Sequence, residues 1–388
     1  MDQCPPPPRP GLTAIFREFL ALGLTAFGGP AMVPYIRAMA VDKRGWLSDE
    51  LFRMGMALCQ AIPGATAMQV AAYVGLRTRG LSGALAAYVG FGLPAFVLIT
   101  LLSHLYVTSR DLALVATTFT GLKVVVVALV SHAALNFASR YLERGADKAL
   151  ALLAGLIFGL RGNPILAIVG VCLLGLVLYR NVPGGKAMDC QDRSGPWARL
   201  ALLAVPCAAT LGLLWALAPQ LFAIAWVMFK VDLFAFGGGY VSLPLMLHEV
   251  TDVRGWMDAA TLMDGIALGQ VTPGPIVITA AFVGYLLAGY VGAFVGAVFA
   301  FTPSFIILVG VTPYYDRLQA SPLFQRLVRA SLASLVGLMA AMAARFAVAA
   351  PWSPLGGLVA GSALLALRMG AGLLPVVLAS ALASMILL

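Results

Sequence analysis

Charged residues are scarce in this chain. Asp, Glu, Lys and Arg make up 11% of its 388 residues, whereas a soluble domain contains roughly 25%. Hydrophobic residues account for 61% and form long runs over 81–106, 112–137, 200–217 and 290–311. These runs approach or exceed the roughly 18 residues that cross a bilayer, and they do not alternate in polarity as barrel strands do. The composition therefore predicts an all-α polytopic membrane protein.

Histidine and cysteine are also rare. The chain has five cysteines, an odd number with no Cys-x-x-Cys pair, so neither a disulfide framework nor a zinc cluster is indicated. With only three histidines, a metal site is not expected. The sequence also has no paired carboxylates and no nucleophile elbow. We therefore expect no enzyme activity, no metal and no cofactor.

The two halves of the chain repeat the same motifs, about 210 residues apart. Phe27-Gly28-Gly29 recurs as Phe236-Gly237-Gly238, and Pro63-Gly64 recurs as Pro273-Gly274. Arg44-Gly45-Trp46 likewise returns as Arg254-Gly255-Trp256. A duplicated apolar chain with helix breaks at matching places is typical of a secondary transporter whose site lies between two halves.

The basic residues predict how the halves are oriented. Lys and Arg outnumber Asp and Glu by 25 to 16, which in a membrane protein reflects cytoplasmic loops rather than a nucleic-acid partner. Six basic residues lie in two loops of the first half, whereas the matching loops of the second half contain only Arg254. Equivalent loops therefore lie on opposite faces, and the repeats are predicted to be inverted. The basic residues of the first-half loops are Arg37, Lys43, Arg44, Arg53, Arg77 and Arg79.

The same rule predicts re-entrant hairpins. The segment 51–76 starts and ends beside arginines of one face, and Pro63-Gly64 divides it into pieces too short to span. Irregular backbone at that depth is tolerated where it is buried in protein or lines a wet cavity. The copy at 259–288 would enter from the other face. The Phe27 region is either a broken element that returns to its own side or, with the N-terminus outside, a full crossing.

These observations predict five parts of the chain. The Pro-rich start carries no charged-then-apolar signal sequence, and we expect it to be disordered. The polar interval before residue 200 is the natural linker. The predicted parts are a disordered lead over 1–11, a first membrane repeat over 12–180, a polar linker over 181–199, an extra transmembrane span over 200–219 and a second repeat over 220–388.

The helix breaks are the candidate binding site. A helix that restarts after a break offers unpaired N–H groups and the positive end of its dipole, which suit an anion. Glycine lets the backbone approach a ligand closely, although Gly and Pro also serve packing alone in membrane helices. The candidate binding residues are Gly28, Gly29, Pro30, Pro63, Gly64, Thr66, Gln69, Lys230, Gly237, Gly238, Gly239, Gln270, Pro273, Gly274 and Pro275.

A few charged residues lie within apolar segments. Lys230 has Asp232 nearby and precedes the second glycine cluster, so we expect it to supply positive charge to the site. Charges inside membrane segments mark pathways by default, with snorkelling as the simpler alternative. Asp264, Asp232 and Lys123 are the candidates for carrying a coupling ion.

The motif set resembles the chromate ion transporter superfamily, bidomain type. The resemblance rests on Phe27-Gly28-Gly29-Pro30, Pro63-Gly64, Phe236-Gly237-Gly238-Gly239 and Gln270-x-x-Pro273-Gly274-Pro275. It implies an inner-membrane carrier that exports chromate from the bacterial cytoplasm and gives resistance, with sulfate as a close mimic and coupling to the proton motive force. This chain has Ala65 where the family's first break has a second proline, and we expect a looser turn there.

The sequence thus predicts a secondary transporter of a tetrahedral oxyanion, with chromate efflux as the first reading. A carrier for uptake or exchange of sulfate or another oxyanion shares the same features, and a non-transporting membrane scaffold is a further alternative. We expect a multi-pass protein of the bacterial inner membrane, surrounded by lipid, and leave a homodimer open.

Overall fold

A computed structural model describes residues 10–26, 32–109, 112–180 and 196–387, which are helical and contain no strand. The predicted lead up to residue 9, Gly28, Gly29, Pro30 and the linker over 181–195 lie outside the described residues. The first half contains α1 Leu12–Thr25, α2 Met32–Arg37, α3 Asp49–Ala61, α4 Thr66–Ser109, α5 Ala113–Tyr141, α6 Gly145–Gly159, α7 Pro164–Leu178 and α8 Pro196–Leu217. The second contains α9 Pro219–Leu233, α10 Ser242–Leu247, α11 Ala259–Val271, α12 Thr279–Phe299, α13 Thr302–Val311, α14 Tyr315–Ala320, α15 Pro322–Ala349, α16 Pro354–Arg368 and α17 Leu373–Leu387.

Five described stretches are long and apolar enough to cross a membrane: Thr66–Ser109, Val115–Tyr141, Leu200–Leu217, Ile276–Tyr314 and Pro322–Ala349. Helices α4, α5 and α8 contain the apolar runs over 81–106, 112–137 and 200–217. The run over 290–311 is divided between two helices, because α12 ends at Phe299 and α13 begins at Thr302. Pro303 lies in the first turn of α13, where a proline is tolerated because that N–H has no partner within the helix.

The two halves have the same local backbone. Gly45 and Gly255 have φ of 59° and 60°, and Gly64 and Gly274 both have φ of 118°. Helices α4 and α12 each contain one kink, at Arg79–Gly80 and at Ala288–Gly289. A π-helical segment follows α2 at Ala38–Lys43 and α10 at His248–Val253. The repeat read from the sequence is therefore also a repeat of the fold.

Each repeat folds back to the face from which it starts. In the first repeat, Arg44 forms an ion pair with Glu18 of α1, and Arg79 donates a hydrogen bond to the carbonyl of Pro10 (3.0 Å). We call the membrane face at Pro10, Arg44 and Arg79 the first face. In the second repeat, Gln220 at the start of α9 donates to the carbonyl of Leu287 beside the α12 kink (2.8 Å), at what we call the second face. In each repeat, the helix before the break and the part of the next helix before its kink form a re-entrant hairpin, as predicted. These are α3 with α4 and α11 with α12.

The two faces lie on opposite sides of the membrane. The part of α4 after its kink, over 81–109, is about 44 Å long at 1.5 Å per residue. It begins at the first face, and near its end the Tyr106 hydroxyl donates to Asp264 Oδ2 of α11 (2.9 Å). His104 Nδ1 lies 2.9 Å from the Tyr285 hydroxyl, just before the α12 kink. Because both contacts belong to second-face segments, the inverted repeat is confirmed.

Paired glycines hold the two sides of each kink together. A Cβ on Gly75 would lie 2.2 Å from the carbonyl oxygen of Gly83, and one on Gly284 would lie 2.0 Å from that of Gly292. The two sides of each kink therefore touch through their backbones, which only glycine permits at this distance. The kink thus turns α4 and α12 back on themselves instead of continuing a long helix.

Candidate functional site

The break in the first repeat is attached to the second repeat. Helix α3 ends at Ala61, and α4 begins at Thr66. Between them, the N–H of Gly64 donates to the carbonyl of Ala235 (2.9 Å). Ala235 is buried and directly precedes the Phe236-Gly237-Gly238 segment. The first break therefore lies against the chain that leads into the second repeat's glycine cluster.

The break in the second repeat makes the reciprocal contact. The N–H of Gly274 donates to the carbonyl of Ala26 (3.2 Å), and Ala26 directly precedes Phe27 in the sequence. Side-chain neighbours are reciprocal as well: a Cβ on Gly64 would meet Ser304 at 2.1 Å, and one on Gly274 would meet Ala95 at 2.6 Å. The two breaks thus meet the opposite repeat in the same way, across a pseudo-twofold axis.

These bonds change the expected set of anion donors. The sequence predicts unpaired N–H groups where a helix restarts after a break, and the N–H groups of Gly64 and Gly274 themselves are bonded. The first helical bond of α4 runs from the N–H of Gln69 to the carbonyl of Ala65 (3.0 Å). The amides of 66–68 precede this bond and have no partner within the helix. The donors therefore lie one to four residues after the glycine.

The second glycine cluster lies against both breaks. Gly238 has φ of 110°, and a Cβ there would lie 3.3 Å from Thr66 Oγ1. A Cβ on Gly239 would lie 3.0 Å from the Val277 side chain and 4.0 Å from the Ala65 side chain. Gly237 instead faces Leu332 and Leu335 of α15. The structure thus brings Gly238, Gly239, Thr66 and the restart after Pro275 together.

Ala65 alters how the first helix restarts. Gly64 and Gly274 have the same φ, so the turn at the glycine is not looser. The difference comes afterwards: α4 begins directly at Thr66, whereas Pro275 leads into a 3-10 turn over Ile276–Ile278 before α12. Proline has no N–H, so Ala65 adds a backbone donor that the second break does not have.

Polar side chains at the breaks are bonded mainly to nearby carbonyls. The Gln69 amide donates to the carbonyl of Pro63 (2.5 Å), while its Oε1 is buried without a partner among the described residues. Thr279 Oγ1 donates to the carbonyl of Ile276. Gln270 is buried next to the Tyr240 hydroxyl. These side chains fix the shape of the breaks.

Lys230, which was expected to supply positive charge to the site, is paired with a carboxylate. Its Nζ lies 2.7 Å from Glu249 Oε1, and the Glu249 side chain is 5% exposed. Glu249 lies in the π-helical segment after α10, 19 residues along the chain. The acidic side chain of Glu249, close to an apolar run, was the one sequence signal for such a partner. The sequence alone does not show that Glu249 contacts Lys230.

The three coupling candidates fall into two environments. Lys123 Nζ lies 3.4 Å from Asp264 Oδ2, which also accepts from the Tyr106 hydroxyl. Asp232 is fully buried and accepts a bond from the backbone N–H of Ser304 in the first turn of α13 (2.7 Å). Its Oδ1 has no partner, and no described Lys, Arg or His forms an ion pair with it.

Asp232 lies beside the central breaks. Ser304, whose N–H it binds, is the same residue that touches Gly64. The Tyr88 hydroxyl donates to the carbonyl of Phe301 (2.7 Å) and lies 3.4 Å from Ser304 Oγ. Sequence reasoning missed Ser304 and Tyr88, because their approach depends on the pairing of α4 with α13. Asp232 is therefore a buried carboxyl group beside the first break, without a cation partner in the part of the chain that the structure describes.

An inverted pair of helical repeats, with broken elements meeting between them, is a polytopic membrane architecture that is common among transporters. The sequence model of the Chromate transporter family matches residues 13–176 and 222–385. The chain therefore belongs to the chromate transporter family, with one copy of the family domain in each half. Membership in this family also supports a multi-pass position in the inner membrane.

Full-length relatives agree with the family match. The chain is 41% identical over 347 residues to an uncharacterized transporter of Methanocaldococcus jannaschii, covering 89% of this chain and 86% of that one. It is 29% identical over 332 residues to the chromate transport protein of Cupriavidus metallidurans (84% and 80% covered). It is 30% identical over 316 residues to that of Pseudomonas aeruginosa (81% and 75%). No solved structure matches the chain significantly.

Proposed function

We propose that this protein exports chromate across the inner membrane and thereby confers chromate resistance. The observation that carries the proposal is the reciprocal pair of bonds from Gly64 to Ala235 and from Gly274 to Ala26. These bonds bring both helix restarts to the interface between the repeats, where inverted-repeat carriers bind their substrates. The names of the relatives in Cupriavidus metallidurans and Pseudomonas aeruginosa support chromate as the substrate.

The oxyanion is bound mainly by backbone amides. Donors at 65–68 point from the start of α4, where the helix dipole favours negative charge. Gly238 leaves room for a ligand beside Thr66 Oγ1, because it has no side chain. Since Lys230 is paired with Glu249, the site does not depend on a free lysine. Rocking of the repeats against each other then exposes the site to the two faces alternately.

A proton on Asp232 couples the transport. A buried carboxylate without a cation is costly, and Asp232 has no cation partner among the described residues. A proton on Oδ1 removes this charge and makes that atom a hydrogen-bond donor. Asp264 is a weaker candidate, because Lys123 already compensates its charge.

The orientation of the protein in the membrane follows from the charges of the two faces. Arg37, Arg44, Arg53 and Arg79 lie at or near the first face, and Lys and Arg collect on the cytoplasmic side. The first face is therefore cytoplasmic, and export runs from the first face to the second.

Counterflow in proteoliposomes tests the central site. Vesicles loaded with unlabelled chromate should take up labelled chromate, and sulfate should compete as another tetrahedral dianion. Gly238→Leu should abolish this exchange, because a side chain fills the space beside Thr66 and φ of 110° disfavours it. Gly361→Leu is the matched control, since nothing lies within 4 Å of a Cβ at Gly361.

Growth under chromate tests the direction. Cells with the protein should grow at higher chromate and contain less chromium than cells without it. More chromium in the expressing cells would identify an uptake carrier, and exchange of sulfate without chromate would identify another substrate. Exchange that survives in the Gly238 variant would remove the proposed site.

A further inference from the structure

A large cavity lies outside the central site. Its volume is about 830 Å³, and its walls come from the end of α6, the π-helical segment after α10 and the end of α15. Val253, the last residue of that segment, and Arg254, which follows it, are at the second face. The cavity is therefore located where an exported anion would leave.

Two arginines from different repeats line this cavity. Arg345 binds Asp252 through both guanidinium ends, at 2.6 and 2.8 Å, and His248 also contacts Asp252. Arg161, in the turn between α6 and α7, forms no ion pair or side-chain hydrogen bond with another described residue. Apart from His248, the cavity lining thus carries two cations and one anion, and its field attracts small anions.

Arg161 adopts a backbone conformation that arginine disfavours. Its φ is 63°, and it is the sole non-glycine residue with positive φ in the described part of the chain. At the offset of 209 residues that relates the two family matches, its counterpart is Gly370, with φ of 91°. The first repeat therefore keeps a charged side chain where its copy uses the unstrained residue. Strain of this kind persists at functional sites.

Arg345 also differs from its counterpart. The same offset relates it to Asn136, which bonds to His132 (2.8 Å). His248 corresponds to Ala38 at the offset of 210 that relates the tryptophans. The Arg161, Arg345 and His248 set is therefore specific to the second face, although the breaks and kinks are kept in both repeats.

We propose that this cavity is a second binding site for a small tetrahedral oxyanion, held by Arg161 and Arg345, on the second face. The guanidinium fork matches such an anion in geometry, and its charge-assisted bonds are strong. Asp252 holds Arg345 when the cavity is empty, and the anion competes with it. The assignment rests on the proposed function only for the identity of the natural anion.

Arg161→Gly tests the site, because glycine relieves the positive φ while the charge is lost. The variant should unfold at a higher temperature than the parent. Sulfate binding to the purified full-length protein, measured by equilibrium dialysis, should lose one site or weaken it roughly tenfold. Arg254→Gln is the matched control: it removes one charge at the same face, where Arg254 lies over Trp256, outside the cavity lining.

Transport kinetics provide the second measurement. In sided vesicles, Arg161→Gly should raise the KM for chromate presented at the second face roughly tenfold, and the KM for chromate presented at the first face by less. Arg161→Lys should restore part of the affinity. An unchanged sulfate stoichiometry and affinity in Arg161→Gly, or a KM raised equally from both faces, would overturn the proposal. Sulfate binding remains readable if chromate is not transported, so the two proposals fail separately.

Discussion

Most charged side chains in the apolar part of the chain have a partner that is distant in sequence. Lys123 contacts Asp264, Lys230 contacts Glu249 and Arg345 contacts Asp252. Such pairs are costly to break singly, because the remaining charge is left buried. Asp232 differs, since its carboxylate is bonded by Ser304 and has no cation partner among the described residues. This contrast separates residues that hold the fold from one that is available for ion coupling.

Replacement of Asp232 by asparagine should uncouple transport. The Asp232→Asn side chain keeps an oxygen for the N–H of Ser304 and cannot exchange a proton. We expect proteoliposomes of the variant to retain chromate counterflow but to lose accumulation driven by a pH gradient. The exposed carboxylate of Asp42 provides the control, Asp42→Asn, which should behave as the parent. Gradient-driven accumulation that persists in Asp232→Asn would exclude this residue as the coupling site.

Lys230 should matter for stability through Glu249. Lys230→Ala leaves the buried Glu249 carboxylate without a countercharge, so we expect the free energy of unfolding to fall by about 3 kcal/mol. The double variant Lys230→Ala and Glu249→Gln removes that charge and should recover most of the loss. Thermal unfolding in detergent measures both. Equal instability of the single and double variants would show that the ion pair is not the cause.

Local sequence signals predicted part of the site, and tertiary pairing decided the rest. Pro63, Gly64, Pro273 and Gly274 mark breaks because their effects on the backbone are local. Lys230 was expected to supply charge to the site, and its partner Glu249 lies 19 residues away along the chain, on another element. The contact between Asp232 and Ser304 spans 72 residues, and no periodicity encodes it.

At the scale of elements, the kinked helices depend on backbone contact. The sequence predicted the hairpins because Lys and Arg fix their ends and proline divides them. It separated the hairpin over 51–76 from the apolar run over 81–106, but it did not show that a sharp kink at Arg79–Gly80, repeated at Ala288–Gly289, joins the two. It also did not show that α13 starts anew at Thr302.

A larger side chain at one of the paired glycines should force the two sides of a kink apart. Gly284→Val places a Cβ about 2.0 Å from the carbonyl oxygen of Gly292, so the two sides of the kink must separate. We expect a marked loss of folded protein in fluorescence-detected size-exclusion chromatography. Gly212→Val, in the exposed helix α8 with nothing within 4 Å of its Cβ, should elute as the parent does. Comparable elution of Gly284→Val would contradict the close contact.

At the scale of the whole molecule, inversion places equivalent loops on opposite sides. Lys43 and Val253 are the last residues of the two π-helical segments, and single cysteines can be introduced there in a background without the native cysteines. We expect a membrane-impermeant maleimide added to intact cells to label Val253→Cys alone, and Lys43→Cys only after the membrane is opened. Labelling of both from one side would contradict the inverted arrangement.

The reciprocal bonds of Gly64 with Ala235 and Gly274 with Ala26 have a consequence for how the protein can be made. Neither half can complete its own break, because the carbonyl that receives each glycine N–H belongs to the other half. Two genes that each encode one half should therefore yield a working carrier when expressed together, with the fragments co-purifying, whereas each fragment alone should be degraded.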